Sequence, residues 1–170
     1  LGFSATFMAA ISIVHALFRA LVSVPLGRFA DKRSWVSLLR LCLSVMTVGH
    51  LCLVFCTPQS GTLATVLYVA FYLCYAFSIA GTNSSLINLC FDYVEHEDRR
   101  YILGVKNSIS GIIAFITSLA WGAIVSYIQG QNNTIFGITV YPQQVLFAIS
   151  AIITLVLVVF VLPTLKKDRR

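Results

Sequence analysis

Leu41-Cys42-Leu43-Ser44-Val45-Met46-Thr47-Val48-Gly49-His50-Leu51-Cys52-Leu53-Val54-Phe55-Cys56 opens a run that reaches Phe91 without one Asp, Glu, Lys or Arg. A second such run extends from Asn107 to Leu165. Each is far longer than the ~20 apolar residues that cross a bilayer, and each carries a polar break that can serve as a turn. In the first run the break is Thr57-Pro58-Gln59-Ser60-Gly61. The rest of the chain agrees. Hydrophobic residues make up 58% of the 170 and charged residues 11%, against roughly 25% charged in a soluble domain. Too little polar surface is available to face water on all sides, so the fold class is all-α: a polytopic membrane helix bundle.

Five transmembrane helices are expected within a single domain of residues 1–170, over about 1–24, 35–56, 62–90, 104–129 and 142–162. The first is expected to stop at Pro25, because proline lacks the N–H and restricts the residue before it. Pro142 stands where a first-turn proline is tolerated. All 12 basic residues fall on one side of this arrangement. Arg28, Lys32, Arg33 and Arg40 flank the first link, Arg99, Arg100 and Lys106 the third, and Lys166, Lys167, Arg169 and Arg170 follow the fifth span, while Arg19 lies near the inner end of the first. The positive-inside rule puts the start of the chain outside and its end in the cytoplasm. The net charge of +6 is thus a matter of topology and not of nucleic-acid binding. An odd number of spans, opening in apolar sequence with no initiator Met or signal peptide, reads as the C-terminal fragment of a larger membrane protein.

The link Pro25-Leu26-Gly27-Arg28-Phe29-Ala30-Asp31-Lys32-Arg33-Ser34-Trp35 is similar to the signature loop of the major facilitator superfamily, G-x-x-x-D-[RK]-x-G-R-[RK]. Gly27, Asp31 and Lys32 match. Ser34 replaces the expected Gly, and Trp35 and Val36 replace the basic pair. A degraded copy is what that family carries between its helices eight and nine, so the resemblance implies helices eight to twelve of a partial facilitator fold. It also implies a missing N-terminal half, and a conformational-switch role for Gly27, Asp31, Lys32 and Arg33. There the Gly permits close backbone approach and the Asp accepts hydrogen bonds at a neighbouring helix N-terminus. The implied function is secondary active transport of a small solute by alternating access, in a plasma membrane.

Polar groups inside spans are costly and are functional candidates by default. Tyr68, Tyr72, Tyr75 and Thr82 recur at helical spacing in the third span, with Asn83 and Asn88 nearby. His15 and Arg19, four apart, share a face of the first span. With Trp121 of the fourth span, His15, Tyr72, Tyr75 and Asn83 are the candidate substrate-binding residues. The alternative for each is a hydrogen bond to a neighbouring helix or an aromatic anchor at the interface, and for Arg19 a snorkelling side chain or an anion site. Such a face suits sugars, amino acids, nucleosides or amphipathic drugs equally. Ser110, Ala114, Ser118, Gly122 and Ser126 lie four apart, a stripe of small residues that admits a second helix closely.

No catalytic residue, metal site or cofactor is expected. The sequence holds no HExxH, GxSxG or phosphate-binding glycine loop, and the chain reads as no enzyme. Cys42, Cys52, Cys56, Cys74 and Cys90 lack metal-ligand spacing and read as packing residues. All six acids lie outside the spans. Asn132-Asn133-Thr134 has the form of a glycosylation sequon in an outer loop, though an ordinary loop explains it as well. The expected partners are membrane lipid, a small solute and the missing half, with no nucleic acid. Two other readings stay open: an integral membrane enzyme, or a non-transporting receptor or scaffold on the same fold.

Overall fold

A computed structural model describes residues 3–135 and 137–165. Five long helices follow one another: α1 Ala5–Lys32, α2 Trp35–Val54, α3 Thr62–Asp92, α4 Arg99–Gly130 and α5 Pro142–Val156. The last continues through a π-helical turn, Leu157–Val161, and a 3-10 turn, Leu162–Thr164. All five are long and apolar enough to cross a membrane. Between α4 and α5 a small hairpin pairs β1 (Thr134–Ile135) with β2 (Ile138–Thr139) antiparallel. Asn132, Asn133 and Gly137 make the tight turns there at φ 53°, 57° and 78°, values that Asn and Gly tolerate best.

Local chemistry sets the helix starts. Ser4 Oγ accepts from the N–H of Phe7 at 3.2 Å to begin α1. Ser34 Oγ accepts from the N–H of Ser37 at 3.1 Å to begin α2, satisfying one of the orphan donors of a first turn. The α5 start is tied twice. Gln144 accepts from the Tyr141 N–H at 3.1 Å through Oε1, and its Nε2 donates to the Val54 carbonyl of α2 at 3.0 Å. Gln144→Leu should therefore lower the unfolding free energy by about 1–2 kcal/mol, read as a lower midpoint of thermal unfolding in detergent. An unchanged midpoint would mean that lipid or detergent replaces both bonds.

The structure corrects the expected end of the first helix. Pro25 lies inside α1, which runs on to Lys32. Proline does forfeit the bond to the carbonyl four residues earlier, but the turn beyond it is held by packing. Leu26 and Ala30 are buried in one cluster with Leu38 and Cys42 of α2 and Ala80 of α3. Membrane helices also re-satisfy freed carbonyls locally. Elsewhere the helices overrun the apolar spans: α3 extends to Asp92 and α4 begins at Arg99 rather than near residue 104. Hydropathy marks where lipid ends, whereas the backbone ladder continues into the polar flanks.

Helix α2 is central, packed along α3 on one side and α5 on the other, while α1 lies against α3. The core forms two clusters. Beside the Leu26 cluster, Leu53, Cys56 and Ala64 gather with Leu67, Phe71 and Phe147 at the opposite end. Glycine sets the α2–α3 distance. A Cβ at Gly49 would meet Cys74 Cβ at 2.9 Å, and one at Gly81 would overlap Cys42 Sγ. Helix α4 stands apart: every residue from 107 to 120 is exposed, and cover returns only near its ends, as at Ile128.

Candidate functional site

The covered face of α1 repeats as Ile11, His15, Phe18, Val22 and Leu26, steps of three and four residues that keep one side of a helix together. This face meets α3, which presents Tyr68, Tyr72 and Tyr75 at the same spacing. The His15 ring stacks on Tyr75 at a centroid distance of 5.3 Å and meets Tyr72 edge-on at 5.9 Å. These separations lie within the range where aromatic pairs attract beyond their buried area. The His15 Nε2 is shielded and has no hydrogen-bond partner among the described residues. A ring nitrogen in that condition costs stability, so the position is not optimised for packing alone.

Tyr68 continues the tyrosine row towards the start of α3. Its hydroxyl donates to the Tyr72 hydroxyl at 3.3 Å and approaches Met8 Sδ at 3.5 Å. Phe3 and Phe7 close around its ring at 4.8 and 6.3 Å. On the other side Phe71 stacks on Tyr75 at 5.8 Å and meets Phe147 of α5 edge-on at 5.3 Å. His50 of α2, buried, lies 5.8 Å from Phe147 and 6.3 Å from Phe71. One aromatic ladder thus crosses the bundle from His15 on α1 to His50 on α2.

Of the expected binding residues, the structure brings together His15, Tyr72 and Tyr75. It leaves two apart. Asn83 is exposed on α3, three turns or roughly 16 Å along the helix from Tyr72. Trp121 lies on α4, where it lines a shallow groove with Ser110, Ile113, Ala114, Thr117 and Ser118. Ser110, Ala114, Ser118, Gly122 and Ser126 do share a face of α4, and all five are exposed.

The expected switch loop is mostly helix. Gly27, Asp31 and Lys32 lie on α1, and Arg33 is its C-cap. A Cβ at Gly27 would meet nothing within 4 Å, so no close backbone approach occurs there among the described residues. Asp31 is exposed, and the N-terminus of α2 is capped by Ser34 itself. The serine that stands in place of the motif's glycine has taken over a capping task. Lys166, Lys167, Arg169 and Arg170 lie outside the described residues.

Phe71 and Phe147 were not legible as site residues, because an apolar ring in an apolar span carries no mark of its own. The signal was the i, i+3, i+4 row of Tyr68, Phe71, Tyr72 and Tyr75 taken as one surface. The five cysteines are free, with Cys42 and Cys56 buried. Among the described residues no group of three His, Cys, Asp or Glu could hold a metal ion.

A family model described as Major Facilitator Superfamily matches residues 1–170. No curated protein and no solved structure matches the chain.

Proposed function

The chain belongs to the Major Facilitator Superfamily, a family of membrane transporters, and from that premise we propose that it is part of a secondary transporter working by alternating access on a small solute. In this reading its five helices correspond to helices eight to twelve and rock against a second helical half. The basic flanks face the cytoplasm of a plasma membrane.

The observation that carries the reading at the site is the meeting of His15 with Tyr72 and Tyr75 across the α1–α3 contact. It sets two hydroxyls and an imidazole beside stacked rings in the middle of an apolar bundle. Such a combination can hold a solute by ring contact and orient it by a few hydrogen bonds.

Solute counterflow into proteoliposomes containing the full-length protein tests this. His15→Ala and Tyr75→Ala should each lower the counterflow rate, the loss of one aromatic contact corresponding to about 0.5–1.5 kcal/mol, with any lost hydrogen bond added. Tyr75→Phe should keep the stacking share. Residues 1–170 alone should give no accumulation above empty liposomes. Robust uptake by residues 1–170 alone, or full activity in His15→Ala and Tyr75→Ala, would overturn the proposal.

A further inference from the structure

Helix α5 packs along α2, but the two do not close on each other at the basic side of the bundle. There α5 leaves its regular ladder, passing through the π-helical turn Leu157–Val161 and the 3-10 turn Leu162–Thr164. A π turn spreads the backbone and a 3-10 turn draws it in, and Pro163 has no N–H with which to restore the ladder. Between these turns and the start of α2 lies a cavity of about 350 Å³, where Ser37 and Arg40 face Leu162, Pro163, Thr164 and Leu165. Both charge-free runs of the sequence end at this place. One begins directly after Arg40, and the other stops at Leu165, before Lys166. The span Pro142–Thr164 has 23 residues, roughly 34 Å at 1.5 Å per residue, against a hydrocarbon layer about 30 Å thick. The cavity thus opens where acyl chains give way to headgroups.

The lining is divided in character. Arg40 is the one charged group in it, and none of the lining residues is acidic, so the cavity favours an anion over a cation. A guanidinium offers paired N–H donors in the geometry that phosphate oxygens accept. Ser37 adds a donor: its Oγ accepts from Ser34 Oγ at 2.9 Å, which leaves its own hydrogen for a ligand. Thr164 Oγ1 donates to the Val161 carbonyl at 2.7 Å and keeps only acceptor capacity, suited to a hydroxyl. The remainder, Leu162, Pro163 and Leu165, is apolar, and a free phosphate would gain nothing from it. A molecule that is anionic at one end and apolar at the other uses both parts, and a bilayer supplies one at this level.

We propose that this cavity holds one anionic phospholipid, with its phosphate on Arg40 and Ser37 and the start of an acyl chain on Leu162, Pro163 and Leu165. Basic pockets between membrane helices recognise anionic headgroups in this way. The bound lipid joins the start of α2 to the end of α5, where the α5 ladder is irregular. It does so whether or not the chain carries a solute, and so stands independently of the transport reading.

The test uses the full-length protein in detergent, with phosphatidylglycerol bearing a photoactivatable group near the top of one acyl chain. Cross-linked peptides give the position of the lipid, and native mass spectrometry gives its affinity beside that of phosphatidylcholine with the same chains. Label should concentrate on the peptides holding Ser37–Arg40 and Leu162–Leu165. Arg40→Gln should weaken phosphatidylglycerol binding about 5-fold, the share of one basic residue near the surface, and remove the label from both peptides. Because Arg40 is exposed, the lipid-free unfolding midpoint should not move. Arg28→Gln, which removes an exposed charge of α1 away from the cavity, should leave the label in place. Leu165→Trp keeps every charge but fills the cavity, and should also remove the label, which diffuse attraction to the basic flanks would not do. Label that survives Arg40→Gln or Leu165→Trp, equal labelling by a phosphatidylcholine analogue, or label spread evenly over the basic flanks would each overturn the proposal. Glycerol phosphate competing as well as phosphatidylglycerol would also overturn it, by showing a site for the free anion.

Discussion

Gly81→Leu is expected to unfold the contact between α2 and α3, lowering stability by about 3 kcal/mol, the upper end of the range for overpacked cores. The site has no spare room. Even a bare Cβ would overlap Cys42 Sγ, and it would lie 3.2 Å from Leu38 Cδ1 and 3.4 Å from Leu26 Cδ1. Leu38 and Cys42 are fully buried, so neither can turn outward to make space. The four residues belong to three helices, and displacing them opens the cluster that also holds the end of α1 beyond Pro25. Trp35 packs on this cluster, and in a Trp121→Phe background its fluorescence reports the local structure during thermal unfolding in detergent. Cys42→Ala removes the offending sulfur and should recover part of the loss, a coupling that separates this contact from a general effect of the larger residue. A Gly81→Leu protein with the original midpoint would mean that α2 and α3 cross elsewhere.

The same substitution on α4 should act quite differently. Gly122 has nothing within 4 Å of where its Cβ would be, and Ser110, Ala114 and Ser118 on the same stripe are exposed. Gly122→Leu should therefore leave the unfolding of residues 1–170 unchanged, or raise it slightly through helix propensity. In the full-length protein the proposed role of the stripe is to pass close to a helix of the other half. A leucine there imposes a penalty of about 1–3 kcal/mol on that approach, which corresponds to roughly 5- to 150-fold in the balance between conformations. Counterflow should fall accordingly, with expression and unfolding intact. Transport at the original rate would place the stripe against lipid.

These two glycines also show what the sequence could and could not reveal. The five helices were legible because absence of charge over 20 or more residues is a one-dimensional property that lipid alone requires. The spacing of Tyr72 and Tyr75 was legible too, since helical periodicity decides which residues share a face. That His15 would meet them was not, because α1 and α3 are separated by the whole of α2 in the chain. For the same reason the sequence marked Gly122, on its stripe of small residues, and passed over Gly81, the one that a neighbouring helix crowds. The difference is only whether a neighbouring helix is present.

Pro25 misled because its local effect, a lost N–H, was weighed without the burial of Leu26 and Ala30 just beyond it. Ser34 is a similar case. Judged as a departure from a motif it weakened the loop, whereas in the structure it caps α2.

The most direct measurement of alternating access around this face is the accessibility of position 75. With the native cysteines replaced, Tyr75→Cys in the full-length protein would be exposed to a membrane-impermeant thiol reagent from each side in turn. The account predicts modification from both sides, slowed by transported solute, because the α1–α3 face opens alternately to the two aqueous phases. No modification from either side, in a protein still active in counterflow, would show that His15, Tyr72 and Tyr75 are packing residues and that the solute passes elsewhere.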